Sequence, residues 1–254
     1  MYEDITYSES SHVATITIDR PRSHNALRYE TYDELQHALE TTEARAVIIT
    51  GAGQSFCAGD DMKEILSKSP SESPRTKIGL TGLARTLLTL EVPTICAVNG
   101  AAMGWGMHLA VLCDFRIASE RARFAELFVK RGIVADVAGL GRLPSLVGRE
   151  NALRLLLTGE VITANTALDM GLVGQVVDHD DLLSTASELA SMIAANPPLA
   201  VKEIKRGFSI ANDIDYEALG SWFANTLFRL RLTHDHKEAI DAFFEKRSPT
   251  FNGI

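Results

Sequence analysis

Arg45-Ala46-Val47-Ile48-Ile49-Thr50-Gly51 is almost wholly apolar between its ends and is closed by a glycine. A half-exposed strand alternates apolar and polar side chains. A run with no polar face suits a strand covered on both sides, as in a parallel sheet. Residues 94–100, Thr94-Ile95-Cys96-Ala97-Val98-Asn99-Gly100, repeat the pattern. Upstream, residues 13–19 (VATITID) alternate apolar residues with threonine and predict a half-buried strand. Residues 29–40 place Leu35 and Leu39 one helical turn apart, and further strands are expected at 115–118 and 175–178. Strands alternating with helices give an α/β core.

After Asp178 the pattern becomes helical. Residues 182–194 read as a helix, and Pro197-Pro198 open another to about residue 211, proline being suited to a first helical turn. Residues 213–232 and 236–246 are also amphipathic, and Trp222, Phe223 and Phe228 form an aromatic stripe suited to core or interface. The chain therefore divides into a core over residues 1–195 and a helical region over 196–254. Residues 67–74 (SKSPSESP) are polar and proline-rich and read as a surface loop.

The 254 residues, 46% of them hydrophobic with mean hydropathy near zero, suffice for one sizeable core. A net charge of -8 argues against a nucleic-acid partner, because phosphate backbones require a basic face. It leaves room for an anionic small ligand held by a few local cations. No apolar run reaches the length of a membrane span. The start, MYEDITYSES, is acidic and polar, unlike a targeting signal. Cys57, Cys96 and Cys113 have no C-x-x-C spacing and read as reduced packing residues, so the expectation is a cytoplasmic protein. The histidines, His234-x-His236 included, show no third partner for a metal.

Three glycine-containing turns follow predicted strands, at residues 55–63, 99–108 and 132–139. Strand-end turns are where α/β proteins hold ligands. In the second turn, small residues let the backbone approach a ligand closely, and the apolar residues 107–112 then predict a buried helix. The first turn of a helix presents backbone N–H groups and the positive end of its dipole, which suits a developing oxyanion. Each such donor contributes about 3–4 kcal/mol to a transition state. The turn is not a dinucleotide site, since Leu109 stands where the third glycine of that motif belongs, and the chain has no P-loop.

The chain resembles the crotonase (enoyl-CoA hydratase/isomerase) superfamily over essentially its whole length. The resemblance rests on Arg20-Pro21-Arg22 with Asn25-Ala26-Leu27, on Phe56-Cys57-Ala58-Gly59-Asp60-Asp61-Met62-Lys63-Glu64, on Ala97-Val98-Asn99-Gly100 and on Cys113-Asp114. It continues through Leu143-Pro144-x-x-Val147-Gly148, Leu157-Thr158-Gly159-Glu160, Ala167-Leu168-x-x-Gly171-Leu172-Val173 and Ala242-Phe243-Phe244-Glu245-Lys246-Arg247. What it implies is a spiral of ββα repeats with a helical C-terminal trimerisation region, assembled as a homotrimer or a hexamer of two trimers. It further implies an acyl-CoA substrate, oxyanion N–H groups on Asp60 and Trp105, and a coenzyme A edge formed by Arg22, Ala58, Asp61, Met62 and Lys63 with Phe243 and Lys246. Coenzyme A enters as part of the substrate, and no separate cofactor is implied.

Two departures from the family's hydratases shape the expected chemistry. The glutamates that activate water there correspond to His108 and Phe128 here. Glu126 fills the second place only if the register slips by two residues, which Gly132 and the following turn argue against. Phe128-Val129-x-x-Gly132-Ile133-Val134-x-Asp136 resembles the isomerase-type members, where the matching aspartate moves a proton along the acyl chain. Burial among Val134, Ala135, Val137 and Ala138 is expected to raise the pKa of Asp136. The simpler role for Asp136 is a helix N-cap, and for His108 a hydrogen-bonded core residue. Trp105 and Asp60 replace small residues, so the indole narrows the pocket or stacks on the acyl group, and the carboxylate must point away from the oxyanion or be paired. The leading expectation is enoyl-CoA isomerisation with Asp136 and His108 as catalytic residues. Hydration or hydrolysis through His108, and a silent acyl-CoA-binding protein, are the alternatives.

Overall fold

The structure is a computed structural model and describes residues 2–65, 81–136, 138–211 and 232–254. The apolar run at residues 45–51 forms β3 (Ala46–Gly51), every residue of which is buried. It lies inside a six-stranded sheet with β1 (Ile5–Ser10), β2 (Val13–Ile18), β5 (Thr94–Val98), β7 (Phe115–Ser119) and β10 (Gln175–Val177), in the order β1-β2-β3-β5-β7-β10. The β1–β2 pair is antiparallel, and every later pairing in this sheet is parallel.

Two separate cores explain why β3 has no polar face. Ala46 and Ile48, with Ile95, Ala97 and Ile117, pack under Leu182, Ala186 and Ala190 of α7 (Leu182–Ala194). Val47 and Ile49, with Cys96 and Val98, face the larger core on the other side. Successive side chains of a strand alternate faces, so covering both faces makes the whole run apolar.

A second sheet of four strands, β4 (Ser55–Cys57), β6 (Ala101–Met103), β8 (Arg123–Ala125) and β9 (Ile162–Thr163), is ordered β4-β6-β8-β9. The chain crosses between the sheets in a repeating step. β3 leads to β4 and then to α2 (Met62–Ile65) and α3 (Gly82–Thr89). β5 leads to β6 and α4 (Trp105–Leu112), and β7 leads to β8 and onward to α5 (Leu143–Thr158). This is the spiral of ββα repeats expected from the sequence. Because β4, β6 and β8 are parallel neighbours, their C-terminal ends emerge side by side.

α1 (Tyr29–Thr41) buries Leu35 and Leu39 as its spacing predicts. α6 (Ala164–Asp169) precedes β10, and α8 (Pro198–Ala211) begins at Pro198. Lys205 of α8 is tied to Asp114 at 2.6 Å and to the Val92 carbonyl at 2.8 Å. α9 (His234–Glu245) is anchored by Asp235, whose carboxylate accepts from the amides of Asn252 and Gly253. The predicted loop at 67–74, nearly all of the helix expected at 213–232, and Trp222, Phe223 and Phe228 lie outside the described residues. The stretches expected as turns at 55–63 and 99–108 hold the short strands β4 and β6, and β8, β9 and β1, an edge strand burying Ile5 alone, carry no signal in the sequence pattern.

Candidate active site

The ends of the three parallel strands of the small sheet each deliver one element of the site. Beyond β4 come Gly59 and Asp60, beyond β6 comes Trp105 at the start of α4, and directly beyond β8 comes Glu126. The first two backbones nearly touch. A Cβ added to Gly59 (φ +90°) would lie 2.6 Å from the Met103 carbonyl oxygen and 3.4 Å from the Trp105 nitrogen. Only glycine permits that approach together with that φ. Gly59 is also bonded to the 20–28 segment, since its carbonyl accepts from Leu27 N at 2.7 Å.

α4 is apolar but for His108, and all eight of its residues are buried. One of them is His108, which is 0% exposed. Its Nε2 lies 2.9 Å from Oε2 of Glu126, itself 0% exposed. Its Nδ1 lies 2.8 Å from Oδ1 of Asp136, off the line of a directed hydrogen bond, so the two meet as a close charge pair. Phe128 stacks on the imidazole at 4.6 Å between centroids. Gly139 leaves the ring its space: a Cβ there would lie 2.8 Å from Ala135 Cβ and 2.9 Å from His108 Nε2.

Asp136 is the member of this trio that reaches the surface, with its side chain 37% exposed against 0% for the other two. Its Oδ1 accepts from Ala138 N at 3.0 Å, at the head of the π-helical turn Ala138–Arg142. Its Oδ2 accepts from Trp105 Nε1 at 3.0 Å. The capping role and the histidine contact therefore coexist in one carboxylate.

Charge organises the trio. Burial lowers the pKa of His108, but its contacts with Asp136 and Glu126 outweigh burial and bring it up to about 9. For Asp136 burial acts upward, and the His108, Ala138 and Trp105 contacts overcome it, so its carboxyl sits below the ordinary aspartate value. The expectation of a raised Asp136 pKa is thus corrected. The apolar neighbours named for it are only partly a wall, Val134 being 74% exposed, and an imidazole invisible in the local sequence adds positive charge.

The carboxylate of Asp60 is paired rather than bare, with Oδ1 accepting from the Tyr32 hydroxyl at 2.7 Å. Tyr32 also meets Trp105 edge to face, 4.8 Å between centroids, and the indole is 2% exposed. Trp105 thus bridges the Tyr32–Asp60 pair and Asp136.

The structure brings part of the expected coenzyme A edge together. The segment holding exposed Arg22 is bonded to the strip after β4, Ala58 N donating to the His24 carbonyl at 3.0 Å and Asp61 N to Leu27 at 2.9 Å. Asp61 pairs with Arg20 at 3.1 Å, and Met62 and Lys63 are exposed beside it. Lys246 is exposed at the end of α9, and among the described residues no hydrogen bond or ion pair joins it to that strip. The side chain of Phe243 lies outside the described residues.

Two residues escaped the sequence reading. Glu126, which the sequence offers only as a register-shifted substitute for a water-activating glutamate, is 0% exposed and places its Oε2 2.9 Å from His108 Nε2. The available signal was a lone carboxylate in the otherwise apolar Phe124-Ala125-Glu126-Leu127-Phe128. Tyr32 gave no signal, since its partner Asp60 belongs to another element.

A model of the family described as Enoyl-CoA hydratase/isomerase matches residues 8–253. The short-chain-enoyl-CoA hydratase of Clostridium acetobutylicum is 38% identical over 251 residues, covering 96% of this chain and 95% of its own. The 1,2-epoxyphenylacetyl-CoA isomerase of Escherichia coli is 33% identical over 273 residues, covering 100% of both. Among solved structures, an enoyl-CoA hydratase from Bacillus anthracis has a TM-score of 0.92 at 34% identity, covering 99% of this chain and 100% of that one.

Proposed function

The chain belongs to the enoyl-CoA hydratase/isomerase family, and on that premise we propose that it isomerises an enoyl-CoA thioester with Asp136 as the proton-transferring base. The observation that carries the reading is the graded exposure of one trio, in which Glu126 is hydrogen-bonded to His108 and His108 is charge-paired with Asp136. Asp136 is open to the surface, while His108 and Glu126 behind it are sealed. A carboxylate held ionised beside a cation stands ready to accept a proton at neutral pH. In the proposed step, Asp136 takes a proton from C2 of a 3-enoyl-CoA, and the electron pair passes through the conjugated system to the thioester oxygen. The same carboxyl then returns the proton to C4, leaving the double bond between C2 and C3.

The negative oxygen would be met by the backbone N–H groups of Asp60 and Trp105, a reading supported by the close passage of Gly59 against Trp105 at the head of α4. The Tyr32 bond to Asp60 supports it too, because it occupies the carboxylate that would oppose an enolate. Coenzyme A would lie along Arg22, Ala58, Asp61, Met62 and Lys63, with Phe243 and Lys246 supplied by a neighbouring subunit of a homotrimer.

Asp136→Asn should abolish turnover of a 3-enoyl-CoA while coenzyme A thioesters still bind, and unchanged turnover would end the assignment. Hydration is the second reading, favoured by the activity named for the Clostridium relative. Formation of a 3-hydroxyacyl-CoA from a 2-enoyl-CoA, faster than the isomerisation, would move the assignment there.

A further inference from the structure

We propose that Glu126 is a positioning residue that acts through His108: it holds the imidazole as a cationic bridge between two carboxylates, and that bridge aims Asp136 at the acyl chain. The inference deepens the reading above and rests on Asp136 being the base.

The geometry is that of a built relay. Glu126 has no exposure to solvent, and its Oε2 meets His108 Nε2 at 2.9 Å. Its second oxygen, Oε1, is buried with no hydrogen-bond partner among the described residues. A carboxylate sealed in that way is strongly destabilising unless a charge opposes it, and His108 is the group that does so. The imidazole cannot turn aside, being stacked on Phe128 and fitted over Gly139, where any Cβ would press on Nε2. Its other nitrogen is left at Asp136. Among the described residues, the charged groups that reach the ring are therefore Glu126 and Asp136. Among the described residues, Cys57 on β4, Arg85 on α3 and Arg142 on the π-helical turn are the other titratable side chains on the elements that pack most extensively against α4, Tyr32 of α1 meets α4 at Trp105, and β6 carries none.

Both His108 and Glu126 are 0% exposed, and in this reading they work through Asp136 rather than on substrate. Their effect is on Asp136. With the imidazole charged, the aspartate stays ionised and fixed. With the imidazole neutral, the pull on Oδ1 is lost and the carboxylate is held only by Ala138 and Trp105.

The test needs no substrate for its first arm. In the wild-type protein carrying 15N-labelled histidine, long-range proton–nitrogen spectra should show both His108 nitrogens protonated at pH 7.5, with a midpoint near 9. Glu126→Gln should lower that midpoint by about one unit or more. In the second arm, the alkaline limb of kcat/KM should move to lower pH by the same amount in Glu126→Gln, the acid limb staying in place, and Glu126→Asp should restore most of the shift. A purely structural glutamate would lower yield or Tm and leave the alkaline limb of kcat/KM in place, even though the His108 midpoint falls with the loss of its charged neighbour. A neutral His108 at pH 7.5 in the wild-type protein, or an unchanged midpoint in Glu126→Gln, would overturn the proposal. Should Glu126→Gln fail to fold, the wild-type titration alone decides. Failure of the isomerase reading would show in the turnover assays and leave the spectra untouched.

Discussion

Glu126 Oε2 lies 2.9 Å from His108 Nε2, on the edge of the imidazole opposite the one that meets Asp136. One ring is thus clamped between a sealed carboxylate and a half-open one, and the pH behaviour of the protein should follow from that clamp.

Stability should decline on the alkaline side. The folded pKa of His108, about 9, lies above the ordinary histidine value of about 6.5. A raised pKa means that the folded state holds its proton more tightly, so the contribution is complete below about pH 6.5 and is lost as pH rises through about 9. Urea midpoints taken from pH 6.5 to 9.5 should fall steadily, and His108→Gln should flatten the fall. Asp136 has the opposite sign. Its lowered pKa stabilises the fold above the ordinary aspartate range, and that contribution is lost on acidification through the depressed value.

Trp105→Phe keeps an aromatic ring against Tyr32 but removes the Nε1 donor to Asp136 Oδ2. A hydrogen bond to a charged group contributes about 1.5–3 kcal/mol, so turnover should fall by roughly tenfold or more. With one fewer donor, the Asp136 pKa rises, and the acid limb of kcat/KM should shift to higher pH. A pH profile identical to wild type would contradict the role given to the indole.

Tyr32→Phe frees the Asp60 carboxylate from the hydroxyl that pairs it at 2.7 Å. If the thioester oxygen develops charge beside Asp60, kcat should drop several-fold while KM for the thioester changes little. A change confined to KM would place the acyl oxygen elsewhere.

Gly139→Ala puts a methyl group 2.8 Å from Ala135 Cβ and 2.9 Å from His108 Nε2. Overpacking of this kind costs about 1–3 kcal/mol. Tm should fall, and the midpoint of His108 should fall with it as the ring is pushed off Glu126.

Lys205→Met removes the 2.6 Å contact with Asp114 that ties α8 to the sheet. Both side chains are partly exposed, which limits the effect to about 1 kcal/mol. Hydrogen exchange should accelerate across α8 and remain unchanged in β3 and β5.

Much of this molecule was readable in one dimension. The apolar runs of β3 and β5, the Leu35–Leu39 spacing of α1 and the proline at the head of α8 are local consequences of burial and backbone preference. They announce themselves wherever they occur. The family's motifs carried the order of the ββα steps and pointed to Asp60, Trp105, His108 and Asp136. The triad was not readable, because its members meet through the neighbouring order of β4, β6 and β8 and the turn that follows, and sheet neighbours leave no mark in adjacent sequence. The same separation hid Tyr32 from Asp60 and Glu126 from His108. It also reversed the expected shift of Asp136: its sequence neighbours predict desolvation, whereas its charged neighbour arrives from α4. Sequence alone determined the strands of the large sheet from β2 to β10 and the helices α1, α7 and α8, since burial is a property of each segment's own side chains, but not the short strands of the small sheet. Only the tertiary structure decided the protonation of the site, because charge acts through space over a few ångströms, whatever the distance along the chain.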